Sequence, residues 1–367
     1  MCCHFTNLDE CVTLQPRSPL FSCGSLMQNT FLRISMWVLG ISAVLGNALV
    51  IVSRCVEKPK RKNEKVAIQS FFIMNLAFSD FQMGVYMLII ASVDLYYGEE
   101  YFLFSEAWQS STVCKVAGFI SLLSSEASVC FLTLITIERF LSLVLPFGKF
   151  HFTISSARVA VIIVWTTIGS LSLSANILAD VDSDFYGLSD VCIGLPLITR
   201  PTSYALIEGA VGNQLSGNTF NIPVPEDTKS AWIFSIVLFL GVNSVLFFVV
   251  FVCYVVIFVV IIQSRKKVRS SRVNNDDEIK MALKMVVLVG TDFFCWMPIV
   301  ISGIVSQTGL AVIPLSMYVW TVVFILPINS AVNPYLYTLS TYIAARMDQK
   351  KERSVKPGGS RTKTSKL

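Results

Sequence analysis

Three acids stand inside apolar stretches long enough to cross a bilayer: Asp80, Glu126 and Asp292. An ionised carboxylate in hydrocarbon is costly, so each must bind a cation, take up a proton or meet donors from a neighbouring helix. Helical spacing says which polar side chains share a face. In the third apolar stretch Cys114, Ser121, Ser128 and Arg139 are separated by 7, 7 and 11 residues, close to whole turns at about 3.6 residues per turn. Glu126 is rotated about 200° from Ser128 and faces another neighbour. In the sixth stretch Glu278, Asp292 and Trp296 form one stripe; in the seventh, Asn329, Asn333 and Tyr337 do. These stripes have no partners on their own helices. The simplest arrangement sets them face to face across a bundle, bound to one another, to water or to an ion. Ser121 and Ser128 could equally serve as plain interhelical hydrogen bonds. Pro298 and Pro334 each remove a backbone hydrogen bond within a span, giving either a static kink or a hinge.

The elements that must hold these residues are membrane helices. The 367 residues are 54% hydrophobic and only 14% charged, against about 25% charged in a soluble domain, so a set of soluble domains is excluded. Seven stretches reach the roughly 20 residues a spanning helix needs: about 31–53, 67–93, 112–144, 157–179, 231–262, 280–305 and 313–338. The fold class is therefore an all-α membrane protein, a seven-helix bundle. The segment RCVEKPKRKNEK after the first span holds six basic residues. The segments after the fifth span and at the carboxyl end are also basic, whereas VDLYYGEEYFLFSEAW after the second span has no basic residue. Basic segments stay on the cytoplasmic side. The expected topology thus has the amino terminus outside, the carboxyl terminus inside, and the chain in the plasma membrane.

Residues 1–30 form an extracellular cysteine-bearing segment without the basic start and short apolar core of a signal peptide. Residues 31–339 form the membrane domain, 340–349 a short amphipathic helix, and 350–367 a polar basic tail of disordered composition. The only histidines, His4 and His151, lie outside the spans, so no clustered metal-ligand set of a membrane enzyme is expected. A transporter, the main rival class, would show inverted repeats, and none is visible.

Together the motifs resemble the rhodopsin class of G-protein-coupled receptors. They are Asn47 in LGN, Asp80 in NLAFSD, and Glu138 and Arg139 in ERF, 25 residues after Cys114. Trp165 follows in the fourth span, then CWMP (Cys295 to Pro298) and NPYLY (Asn333 to Tyr337). The fifth span offers Tyr254 and lacks the proline common in the class. Finer segments, among them DFQMGVYMLIIASVDLYYGEEY, WQSSTVC and ILPINSAVNPYLYTL, are similar to the leucine-rich-repeat-containing receptors of the relaxin-family peptide and glycoprotein-hormone groups. Glu126 and Asp292 match positions where that group places acids.

The resemblance implies a receptor with no chemistry of its own. Its expected partners are a peptide or protein hormone outside, a heterotrimeric G protein inside, raising cAMP, and the lipid bilayer; a nucleic acid is not among them. Arg139, held by Glu138 and by Glu278 at the base of the sixth span, is the expected activation switch, with Asp292, Trp296, Pro298, Asn333, Pro334 and Tyr337. Asp80, Ser128, Asn329 and Asn333 match the family's sodium pocket, and no other cofactor is implied. Asp292, one turn below Trp296, is expected to accept hydrogen bonds from Asn329 or Asn333, so its loss should raise basal signalling. Cys114 and Cys192 match the disulfide joining the third helix to the second exterior loop. Ser121 stands where amine receptors carry an acid, which argues against a small amine ligand. The seventh span has no lysine, which excludes a retinal Schiff base.

In the leucine-rich-repeat group a hinge joins the repeats to the helices, with an adjacent cysteine pair and further cysteines before the first helix. Cys2 and Cys3 match the pair, and Cys11 and Cys23 its partners, with Cys2–Cys11 and Cys3–Cys23 as the expected bonds among three possible pairings. The hinge leads to the expectation of a repeat ectodomain upstream of Met1; a repeat-less or constitutively active receptor is the alternative. Gly24 and Ser25 stand where relatives carry acids, so built-in activation by that segment is not expected.

Overall fold

In a computed structural model of the chain, residues 25–27, 29–56, 64–145, 148, 151–181, 190–193, 204–208, 219–223, 236–267, 290–291, 293–298, 300–302, 304–305 and 320–336 are described. Helix α1 spans Thr30–Val56, α2 Glu64–Tyr97, α3 Tyr101–Gln109, α4 Thr112–Val144 and α5 Ile154–Val181. A short antiparallel pair follows, β1 Tyr204–Glu208 and β2 Thr219–Pro223, with Leu206 opposite Asn221. A π-helical stretch, Ile236–Asn243, then leads into α6, Ser244–Lys267. Two shorter apolar helices, α7 at Phe293–Ser302 and α8 at Val323–Leu336, fall in the sixth and seventh expected spans. The bundle is helical because a backbone in lipid must satisfy its polar groups within its own segment. The small hairpin lies in the long stretch between the fourth and fifth spans and leaves the all-α bundle intact.

Helix α1 packs along α2, α2 against α4, and α4 against both α5 and α6. Helix α4 is thus the central post, about 50 Å long at 1.5 Å per residue. Its start is fixed by Ser111, an extended residue whose hydroxyl accepts the Cys114 N–H at 3.1 Å. Such a cap is worth about 1 kcal/mol. Close approach between helices depends on missing side chains. A Cβ on Gly84 would come within 2.8 Å of the Val44 nitrogen, and one on Gly46 within 2.9 Å of Pro334.

Two apolar clusters fill the interior. One, toward Cys114, gathers Met27, Met87, Tyr101, Trp108, Val191 and Trp296; the other, toward Arg139, gathers Val50, Phe72, Phe131, Ile135 and Val250. The segment after the second span is not an open loop. A single 3-10 turn at Gly98–Glu100, with Gly98 at φ +52°, redirects the chain into α3. A left-handed φ of this kind costs glycine little. Helix α3 then buries Tyr101 and Trp108, seven residues apart and so on one face.

Candidate functional site

The polar centre of the bundle is built on Asp80, which is fully buried. Its Oδ1 accepts from the Ser128 hydroxyl of α4 at 3.0 Å and from the Ser330 hydroxyl of α8 at 3.0 Å. Its Oδ2 accepts from the Asn333 amide at 2.8 Å. Three helices therefore meet at one carboxylate; Asp80, Ser128 and Asn333 are the residues that the family resemblance had grouped. Ser330 is an addition, since a lone serine beside Asn329 carries no signal of its own. Asn329 is buried, but its amide nitrogen makes no hydrogen bond among the described residues. Asn47 of α1 supports the same region, donating to the backbone oxygen of Ser330 at 2.9 Å.

The donor set suits a small hard cation: one carboxylate with neutral oxygens beside it. The Oδ1 of Asn333 is a buried acceptor without a partner among the described residues, as a residue offering an oxygen to a cation would be. Ser128 and Ser330 keep hydroxyl lone pairs after donating to Asp80.

Near the other end of α4, Arg139 and Glu138 are both buried, with Nε and Oε2 3.1 Å apart. The Ser142 hydroxyl holds the second oxygen of Glu138 at 2.9 Å. A buried ion pair of this kind is costly to split, because each partner would be left as an uncompensated charge. Glu278, Asp292 and Tyr337, the other expected members of the switch, lie outside the described residues, as do Cys2, Cys3, Cys11 and Cys23. Trp296 is buried, its ring 5.6 Å from that of Phe247 on α6, and Pro298 stands in the same helix α7. Pro334 stands in α8, seated against Gly46.

Glu126 does face away from this set. Its Oε1 accepts from the Asn243 amide at 3.0 Å, and both residues are fully buried. Asn243 closes the π-helical stretch that leads into α6. Trp165 ties α5 to α2 by donating to Asn75 Oδ1 at 3.0 Å.

The opposite end is fastened differently. Cys114 and Cys192 form a disulfide, with Cα atoms 5.3 Å apart. Cys55, Cys130, Cys253 and Cys295 are thiols outside any disulfide. Arg33 of α1 and Asp94 of α2 form an ion pair at 2.6 Å. Between them they also bind both backbone groups of Met27, the N–H at 2.8 Å and the carbonyl at 3.1 Å. Sequence reading passed over Arg33 and Asp94, because charges near span ends look like boundary markers.

A buried carboxylate joining three helices, a buried Glu-Arg pair near one end of the central helix and a disulfide at the other define a seven-helix receptor. The sequence model "7 transmembrane receptor (rhodopsin family)" matches residues 46–213 and 218–337, and the chain belongs to that family. Among its relatives are the "G-protein coupled receptor GRL101" of Lymnaea stagnalis, the human "Relaxin receptor 2" and the cat "Thyrotropin receptor". The first is 35% identical over 90% of this chain and 27% of the relative. The second is 30% identical over 86% of this chain and 38% of the relative. The third is 31% identical over 91% of this chain and 38% of the relative. The chain therefore spans well under half the length of these curated relatives.

Proposed function

We propose that this chain is the transducing part of a plasma-membrane receptor that passes an extracellular peptide or protein hormone signal to a heterotrimeric G protein, raising cAMP. Its basic segments set the topology, with the Cys114 end of α4 outside and the Arg139 end inside. The observation that carries the reading is the buried Glu138–Arg139 pair at the inner end of the central helix. In a two-state transducer such a pair holds one conformation, and whatever favours the other state must break it. The relatives named for relaxin and thyrotropin supply the hormone class. Asp80, Ser128, Ser330 and Asn333 would hold a sodium ion, whose charge would balance the carboxylate and favour the closed bundle. Cysteines 2, 3, 11 and 23 would form the hinge to a hormone-binding ectodomain.

The test is basal cAMP in cells expressing the chain at matched surface density. Glu138→Gln, which frees Arg139, should lie above the wild type, and Glu138→Gln combined with Arg139→Ala should return to the level of untransfected cells. Equal cAMP in both variants, or uptake of a solute without G-protein recruitment, would exclude the reading.

A further inference from the structure

The most unusual charged group outside the transduction path is Asp190, two residues before the bridged Cys192. It is 1% exposed. Its Oδ1 accepts from the Tyr101 hydroxyl at 3.2 Å and from the Gln109 amide at 2.7 Å, both on the α3 segment. Its backbone oxygen accepts the Trp108 indole N–H at 2.9 Å. The next carbonyl, of Val191, accepts the Tyr86 hydroxyl of α2 at 2.9 Å. Cys192 itself takes φ +47° and is tied to α4. Residues 190–192 are thus tied to α2, α3 and α4 by four hydrogen bonds and a disulfide, two of the hydrogen bonds falling on the Asp190 carboxyl group.

That carboxyl group is poorly compensated as an ion. Its Oδ2 is buried and has no hydrogen-bond partner among the described residues. Among the described residues, the titratable groups in contact with this stretch are neutral phenols: Tyr101 from α3, with Tyr97 behind it, and Tyr86 from α2. Helix α4 contributes Cys114, which is disulfide-bonded and does not titrate. No described Lys, Arg or His forms an ion pair with Asp190. A buried carboxylate with two neutral donors and no cation is worse off than the neutral acid.

We propose that Asp190 is a proton-operated latch: protonated, it seats the second loop firmly on α3, and ionised, it loosens that seat. The physiological sense rests on the outward orientation proposed above, which makes the latch a sensor of extracellular or vesicular acid. Burial lifts the carboxyl from its ordinary 3.8 to about 6, against the smaller opposing pull of Tyr101 and Gln109. The sign follows from linkage. The folded chain holds a proton that the unfolded chain releases, so the contribution is complete below about 4 and disappears as pH rises through about 6.

The experiment follows melting of the purified full chain in bilayer discs by tryptophan fluorescence, at pH 7.5, 6.5 and 5.5. The wild-type midpoint should rise by a few degrees on acidification. Asp190→Asn, a neutral replacement of the same shape, should remove that part of the rise. Tyr101→Phe removes a donor that favours the ionised form, so the rise should begin at higher pH. A wild-type pH profile in Asp190→Asn would overturn the latch. Should Asp190→Asn fail to fold, a wild-type profile in Tyr101→Phe would overturn it instead. Neither measurement involves a G protein or a hormone, so the outcome is independent of the proposed function.

Discussion

The two ends of α4 are held by different physics. At the Cys114 end the holding is covalent and redundant. A disulfide, the Arg33–Asp94 pair with Met27, and the indole and phenol contacts to residues 190 and 191 all fix the same rim. At the Arg139 end the described polar contacts are non-covalent: the Glu138–Arg139 pair with Ser142, Arg54 on Ser70 at 3.5 Å, and the Ile154 N–H on Glu64 at 3.2 Å. A disulfide does not open within a signalling event. An ion pair does, when a competing partner or a shift of a neighbouring helix lowers the cost. The contrast matches what a transducer needs: a rim that keeps its shape and a far end that can exist in two states. Asp80 sits between them and couples α2, α4 and α8 through three hydrogen bonds.

Breaking the fixed end should have the largest effect. Cys192→Ala leaves 78 residues of separation unbridged, and loss of such a bond costs about 2–5 kcal/mol. Surface expression should fall severalfold, with a lower melting midpoint; unchanged expression and melting would mean that the rim is held without the bond. Asp80→Asn should act more mildly, on the coupling itself. The three donors exchange a charged acceptor for a neutral one, and each loses only the excess of a charged hydrogen bond over a neutral one, about 1 kcal/mol. The sodium reading adds a sharper outcome. The purified wild type should melt higher in sodium chloride than in choline chloride, and Asp80→Asn should melt alike in both. A sodium effect that survives in Asp80→Asn would remove the ion from Asp80.

Much of this contrast was legible before any coordinates. Spans came from hydropathy, whole-turn spacing put Ser128 and Asn333 on inward-facing stripes, and the family resemblance implied their grouping with Asp80. What escaped has physical reasons. Ser330 lies one residue, about 100°, from Asn329, so the face that meets Asp80 depends on how α8 is rotated. The π-helical turn at Thr321–Ile325 changes the rotation of α8, and that at Ile236–Asn243 the rotation leading into α6, in a way no 3.6-residue pattern reports. The same effect hid Asn243 as the partner of Glu126. Helix α3 was missed because two buried aromatics in nine residues give too little periodicity to register. Asp190 was missed because its role depends on a loop folding back over α3, a long-range contact without a sequence pattern.

The central claim is that the Glu138–Arg139 pair restrains the end that moves. It is tested most directly by nucleotide exchange on a purified stimulatory G protein, with the chain reconstituted in bilayer discs and no hormone present. Glu138→Gln keeps the shape and removes the charge that holds Arg139. The account predicts that it accelerates exchange severalfold over the wild type, with the Cys114–Cys192 bond still formed. Exchange at or below the wild-type rate, with the variant folded and the bond intact, would contradict it.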